Sequence, residues 1–124
     1  MTPLPAYSDL RRSGEGLSLA FDLSGDNAAF DGHFPATPIL PAVAQIDWAI
    51  RMARTHFPLP PHFNALRSLK FLRIVQPPVR LTLELVPTAD GRGVNFTYAH
   101  KGAACSTGRI EFSDDAAGPD RSLL

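Results

Sequence analysis

Hydrophobic and polar positions alternate over residues 17 to 23, LSLAFDL, where leucine or phenylalanine occupies every second position. This period is typical of a strand with one buried face. Residues 79 to 86 repeat the pattern most clearly, with leucines alternating with charged and polar side chains. We predict further strands at about residues 65 to 74, 79 to 86, 94 to 100 and 104 to 112.

The period changes after Pro41. Apolar residues then recur at the spacing of an amphipathic helix, and they are Val43, Ile46, Ile50, Ala53 and Phe57. Pro41 suits the first helical position, because its missing N–H would have no partner there. The prolines at 58, 60 and 61 predict that the helix ends by residue 57.

Turn residues at 88 to 93 and 101 to 103 predict two hairpins among the later strands. A strand, one helix and an antiparallel meander predict an α+β fold. We expect one domain over residues 1 to 124, with flexible ends at about 1 to 14 and 114 to 124. Because one helix covers only part of such a sheet, we also expect pairing with a second subunit.

Charge and cysteine content exclude several classes of function. Twelve basic residues balance twelve acidic ones, which argues against binding nucleic acid or an anionic membrane surface. One cysteine, Cys105, excludes an intrachain disulfide, and no apolar run is long enough to span a membrane. We therefore expect a cytoplasmic protein. His56, His62 and His100 fall on separate segments, so we expect no metal site.

Candidate chemistry is concentrated in FDGHFPATPILPAVAQIDWA, residues 30 to 49. His33 follows Gly32, which allows a close approach of the backbone to a ligand. Asp47 lies at the edge of the apolar stripe of the helix. The amides of Ala42 and Val43 are expected to be unpaired donors at the helix start, suited to polarising a carbonyl oxygen. These residues offer a base, an acid and an electrophilic helix end.

Simpler interpretations exist for the same residues. A single loop histidine is usually a polar turn residue, and Asp47 is placed to form an exposed ion pair with Arg51 one turn later. Spacing and composition alone favour these interpretations.

The segment GHFPATPILPAVAQIDWA resembles the signature of the 3-hydroxyacyl-(acyl carrier protein) dehydratases of the FabA/FabZ type, G-H-F-P-x-x-P-x-x-P-G-V followed by a helix with Asp or Glu. The separation of His33 and Asp47 matches that signature. QIDWA, residues 45 to 49, is most similar to the ApeI-like branch associated with aryl polyene pigments. LKFLRIVQPP, residues 69 to 78, is similar to the strand that follows the central helix in that family.

The resemblance implies a dimeric hotdog fold, an antiparallel sheet wrapped around one long central helix. It implies that His33 of one subunit faces Asp47 of the other. His33 would remove the proton next to a thioester carbonyl, Asp47 would protonate the departing 3-hydroxyl, and the amides of Ala42 and Val43 would bind the thioester oxygen. A trans-2-enoyl thioester would result, in fatty acid or aryl polyene type biosynthesis, without a metal or redox cofactor.

Two positions depart from the family signature. The glycine after the third proline is Ala42 here, and the glutamine one turn after the acid is Arg51. A cation there favours the ionised form of Asp47, whereas an acid catalyst must be neutral. Two alternatives therefore stand beside the dehydratase, namely a hotdog acyl thioesterase and a catalytically weak hotdog subunit that completes a heterodimer.

The middle of the chain is locally basic, at Arg51, Arg54, Arg67, Lys70, Arg73 and Arg80. A solvated face is the simplest interpretation. In the resembled family the substrate arrives on the phosphopantetheine arm of an acidic acyl carrier protein, so Arg51, Arg67 and Lys70 are candidates for binding the carrier or the substrate.

Overall fold

The computed structural model describes residues 3–26 and 38–115. The elements in chain order are β1 Tyr7–Ser13, β2 Gly16–Leu23, α1 Ala42–His56, β3 His62–Phe71, β4 Val79–Pro87, β5 Gly93–His100 and β6 Ala103–Ser113. The strands form one antiparallel sheet in the order β1-β2-β4-β5-β6-β3. Within this part of the chain, no helix is long and apolar enough to cross a membrane.

Four of the five predicted strands lie where the alternation placed them, and both predicted hairpins are present as β4–β5 and β5–β6. Strand β3 is displaced toward the N-terminus and ends at Phe71 rather than at residue 74. The reason is that the amides of Leu72 and Arg73 both donate to the carbonyl oxygen of Cys105, at 2.8 and 3.1 Å, which ends the regular ladder.

Strand β1 was not predicted: Tyr7–Ser13 pairs with β2 inside the N-terminal segment expected to be a flexible end. All seven of its residues are exposed, so it has no buried face that alternation would reveal. The remaining tail, residues 116 to 124, lies outside the described residues.

The core lies between one face of the sheet and α1. Alternate residues of four strands are buried, namely Leu17, Leu19, Phe21, Leu81, Leu83, Leu85, Val94, Phe96, Tyr98, Ile110 and Phe112. Trp48 packs on Phe21 with ring centroids 5.4 Å apart. Burying each large apolar side chain contributes about 1.5–3 kcal/mol, so this layer fixes α1 on the sheet.

The buried face of α1 differs from the predicted one. Ala44, Trp48, Ala49, Met52 and Ala53 are at most 2 % exposed, whereas Val43 is 74 % exposed. The alanines let the helix approach the sheet closely, and the two large side chains fill the space between them. The predicted stripe is correct for Ala53 and in part for Ile50 and Phe57, which pack against the core, and it is wrong for Val43.

Candidate active site at the start of helix α1

The start of α1 presents backbone donors. Pro41 is the N-cap residue, whereas the sequence predicted it at the first helical position. It provides no side-chain cap. The amide of Gln45 donates to the carbonyl oxygen of Pro41 at 3.3 Å. The amides of Ala42 and Val43 precede this first helical bond, so the helix offers them no acceptor. Together with the helix dipole they favour a partial negative charge on a ligand.

A mostly apolar groove of about 280 Å³ opens beside this helix end. Its lining residues are Ile39, Leu40, Pro41, Ala42, Gln45, Phe71, Leu72, Arg73, Ile74 and Val75. Arg73 is the charged member of this set. The amide of Leu40 donates to the carbonyl oxygen of Val75 at 2.8 Å, which joins the two sides of the groove. The groove can therefore take an acyl chain next to unpaired amide donors.

Gln45 forms a buried polar network below the groove. Ser106 Oγ donates to Gln45 Oε1 at 2.7 Å, and Gln45 Nε2 donates to the carbonyl oxygen of Leu40 at 3.3 Å. The hydroxyl of Tyr98 donates to the main-chain oxygen of Gln45 at 2.7 Å. Burial raises the pKa of Tyr98 well above its ordinary value, and the charge of Asp47 raises it further. Tyr98 is therefore a neutral donor at physiological pH.

Asp47 lies one turn beyond Val43 on the uncovered side of α1. Its side chain is 29 % exposed, and its Oδ2 atom lies 3.5 Å from Nη1 of Arg51. Asp47 does not line the groove described above. The ion pair is long and partly solvated, so its contribution to stability is small.

The structure brings part of the predicted site together. Ala42 lines the groove, Val43 is exposed beside it, and Asp47 with Arg51 follows on the next turn. His33 lies outside the described residues, so its catalytic role stays a prediction.

The two basic residues predicted on β3 lie away from the helix start. Arg67 pairs in register with Arg109, and Lys70 pairs with Thr107. Arg109 and Thr107 alternate along β6 with buried residues, so they lie on the outer face of the sheet. Arg67 also donates from Nε to Oε1 of Glu111 at 2.6 Å. Lys70 lines a separate depression on this outer face. Carrier binding by Arg67 and Lys70 stays a prediction, while Arg73 is the cation that the structure places at the groove.

Sequence reasoning missed Arg73 as a groove residue and missed the three partners Gln45, Tyr98 and Ser106. The signal for Gln45 was an amide in an otherwise apolar helix start, AVAQIDWA. Its partners Tyr98 and Ser106 lie 53 and 61 positions away along the chain. Only the folded sheet brings them to Gln45, so no local pattern could reveal the contacts. Cys105 is buried, as expected for a packing residue, and this burial raises the pKa of its thiol.

Comparison with known proteins decides the family. The family model for the ApeI-like proteins, described as ApeI dehydratase, matches residues 9–109. The chain belongs to the ApeI-like dehydratases. Elimination of water is the reaction of this family, so the chain is a hydro-lyase by membership. No curated protein matches the chain significantly.

Solved structures agree with this family. The dehydratase heterocomplex ApeI:P from Xenorhabdus doucetiae matches with a TM-score of 0.76 and 27 % identity, covering 86 % of this chain and 96 % of that one. An uncharacterised protein from Erwinia carotovora subsp. atroseptica matches with a TM-score of 0.67 and 26 % identity, covering 87 % and 92 %. A pyran synthase domain from module nine of the sorangicin pathway shares the fold, with a TM-score of 0.70 and 17 % identity, covering 94 % and 42 %. The fold is the predicted hotdog fold of dehydratases.

Proposed function

We propose that this dehydratase eliminates water from a 3-hydroxyacyl thioester on an acyl carrier protein and forms a trans-2-enoyl thioester, in biosynthesis of the fatty acid or aryl polyene type. The observation that carries the proposal is the uncapped start of α1 beside an apolar groove, one turn before Asp47. A thioester carbonyl placed at the amides of Ala42 and Val43 would have its acyl chain in the groove.

The proposed mechanism assigns one role to each group. The imidazole of His33 removes a proton from the carbon next to the carbonyl, and the electron pair moves toward the thioester oxygen. The amide of Ala42, assisted by Val43, stabilises the negative charge that develops on this oxygen. The carbon–oxygen bond to the 3-hydroxyl then breaks, and the carboxyl of Asp47 donates the proton that completes the leaving water. Transfer of a proton from imidazolium back to Asp47 through solvent resets the site.

The groove supports this assignment in two ways. Its apolar lining would pack against a bound acyl chain and displace water beside the amide donors, which would strengthen their interaction with the developing charge. Arg73 at the groove is a suitable partner for the phosphate of a phosphopantetheine arm or for an acidic carrier surface. General acid and base catalysis suffices for this elimination, and the proposal requires no metal or redox cofactor.

Pairing with another hotdog subunit is part of the proposal. The two edges of the sheet differ. Both edge strands carry irregularities, one in β1 between Ser8 and Arg11 and two in β3 between Phe63 and Ala65 and between Arg67 and Lys70, so the edges differ in length and in their apolar surroundings. The β3 edge is longer, and the apolar Phe71, Leu72 and Ile74 beside it are 46 %, 58 % and 67 % exposed. We place the subunit seam at β3 and the adjacent outer stripe of α1.

A second candidate function is a weakly active subunit that requires a different hotdog partner. The ion pair between Asp47 and Arg51 favours it, because the carboxylate of Asp47 is already engaged by a side chain of the same helix, with Oδ2 3.5 Å from Nη1 of Arg51. The similarity to the ApeI:P heterocomplex also favours it. Membership in a dehydratase family favours dehydration over the thioesterase alternative.

The test supplies a 3-hydroxyacyl carrier protein and measures conjugated enoyl thioester by ultraviolet absorbance and loss of water by mass spectrometry. We expect His33→Ala and Asp47→Asn each to lower kcat by roughly 10²- to 10⁴-fold. Glu84→Gln is the matched control, because Glu84 is an exposed carboxylate on the outer face of β4, and we expect its activity to equal that of the wild type.

The outcomes separate the candidates. Free thiol as the main product would indicate a thioesterase. Enoyl product that appears only after addition of a second hotdog subunit, and that survives Asp47→Asn in this chain, would assign the chemistry to that partner. Full activity of both variants in the isolated protein would reject the proposed site.

A further inference from the structure

Gln45 and Ser106 are the polar residues buried in the core, among those the structure describes. Gln45 is 4 % exposed and Ser106 is fully buried. An amide and a hydroxyl transferred from water to a protein interior destabilise the fold unless they are hydrogen-bonded. An apolar pair of similar volume would fill the same space without that requirement. The chain nevertheless places a polar pair directly below the candidate active site.

The bonds of this pair connect three parts of the fold. Ser106 on β6 donates to Gln45 Oε1, and Gln45 Nε2 donates to the carbonyl of Leu40, which precedes the helix. Tyr98 on β5 donates to the main-chain oxygen of Gln45. Leu40 is itself bonded to Val75 across the groove. The first helical turn is thus tied to the sheet and to both sides of the groove.

No local feature replaces this attachment. Pro41 provides no side-chain cap, and Val43 on the opposite side of the helix is 74 % exposed. The deep packing of Trp48 and Met52 lies one and two turns further along the helix. Besides the bond from the Tyr98 hydroxyl to the main-chain oxygen of residue 45, the first turn is tied to the sheet by the side-chain hydrogen bond between Gln45 and Ser106.

We propose that Gln45 and Ser106 are positioning residues, which hold the amides of Ala42 and Val43 and the carboxyl of Asp47 in the geometry that dehydration requires. This inference rests on the proposed function. Gln45 and Asp47 are two positions apart on the helix, so a shift or rotation of the first turn moves the electrophilic amides and the acid together. A misplacement of about 1 Å can lower a rate by about 10²-fold.

The experiment compares Ser106→Ala with the double variant Gln45→Met and Ser106→Ala. The single change leaves Gln45 Oε1 without its donor in a buried site, so we expect it to lower stability and kcat. The double change replaces both side chains by apolar groups of similar shape and leaves the carbonyl of Leu40 without its donor, so we expect stability closer to the wild type than that of the single variant. If the pair positions the site, kcat of the double variant stays lower by about 10- to 10²-fold with little change in KM.

A merely structural role gives a different result, because kcat of the double variant would return to the wild-type value together with the melting temperature. That result would overturn the inference. Thr82→Val is the matched control, since Thr82 donates a side-chain hydrogen bond to the carbonyl of Ala99 at 3.1 Å in the same sheet. We expect it to retain wild-type kcat.

Hydrogen exchange keeps the inference separate from the proposed function. The amide of residue 45 makes the first bond of the helix, to Pro41. We expect faster exchange of this amide in the double variant and unchanged exchange in β4. If the wild type shows no turnover with any partner, the proposed function fails, and unchanged exchange at residue 45 would then overturn the positioning role as well.

Discussion

The two long faces of α1 differ both in composition and in what covers them. The inner face, with Trp48 and Met52 between alanines, is sealed by the sheet of the same chain. The outer face carries Val43, which is 74 % exposed, together with Asp47 and Arg51. Exposed apolar residues that adjoin further exposed apolar residues mark surfaces for interaction. The inner face therefore serves folding, and the outer face is the one to which the proposed assembly and chemistry belong.

The largest effect should follow a break in the inner face. Trp48→Ala removes a fully buried ring that packs on Phe21, and the cavity left behind lowers the free energy of unfolding by about 3–5 kcal/mol. Urea unfolding followed by circular dichroism measures this loss. The matched change on the outer face is Val43→Ala. Its free energy of unfolding should stay within about 0.5 kcal/mol of the wild-type value when both are measured as monomers. Equal losses from both variants would contradict the assignment of the faces.

The second effect should appear in assembly. Val43→Glu and Ile74→Glu each introduce a charge at an exposed apolar position of the proposed seam. Loss of the burial of one such side chain is worth about 1.5–3 kcal/mol, which corresponds to a roughly 10- to 10²-fold weaker dimer. Sedimentation equilibrium at several concentrations gives the dissociation constant. A charge on the opposite edge, Leu10→Glu, serves as control because Leu10 is exposed on β1. Dissociation by the control alone would move the seam to β1.

The contrast between the faces also explains what the sequence could predict. Strand β4 was predictable because its buried leucines alternate with exposed polar residues. Helix α1 was predictable in position, since prolines bound it, but its buried face was not. Periodicity ranks bulky branched residues highest, whereas the sheet selected the face whose alanines permit close approach. Strand β1 has no buried residue, so it left no periodic signal.

In the candidate site, too, some residues were predictable from the sequence and others were not. Ala42 and Asp47 could be predicted from the sequence motif, because both lie close together near the start of one helix. The contact between Gln45 and Ser106 spans 61 positions, and no local pattern encodes such a pair. Arg73 reached the groove through the turn in which Leu72 and Arg73 bond to Cys105. The alternating pattern that predicted β3 continues past Phe71 in the sequence. It therefore gave no sign of that turn.

The smallest effect concerns the far end of the inner face. His56 ends α1 and its ring lies 6.3 Å from the ring of Tyr7 on β1. Its Nε2 atom is buried and has no hydrogen-bond partner among the described residues. Burial, and to a lesser degree the charge of Arg12, lowers the pKa of His56 below its ordinary value of 6.5. Gln45, at the other end of the same face, is polar and hydrogen-bonded but has no titratable group. The His56 end, unlike the Gln45 end, can therefore change its charge with pH.

The sign of the pH effect follows from proton binding. Below pH 6.5 the unfolded chain holds a proton on His56 that the folded chain binds less readily, so unfolding takes up protons and stability falls as the pH falls. The loss stops below the lowered pKa of the folded state. We expect His56→Gln to remove this part of the pH dependence, measured as a flatter curve of unfolding free energy between about pH 5 and pH 7. His62→Gln, at the first residue of β3, is the control and should keep the wild-type curve. An unchanged slope in His56→Gln would show that burial of this ring does not couple protonation to folding.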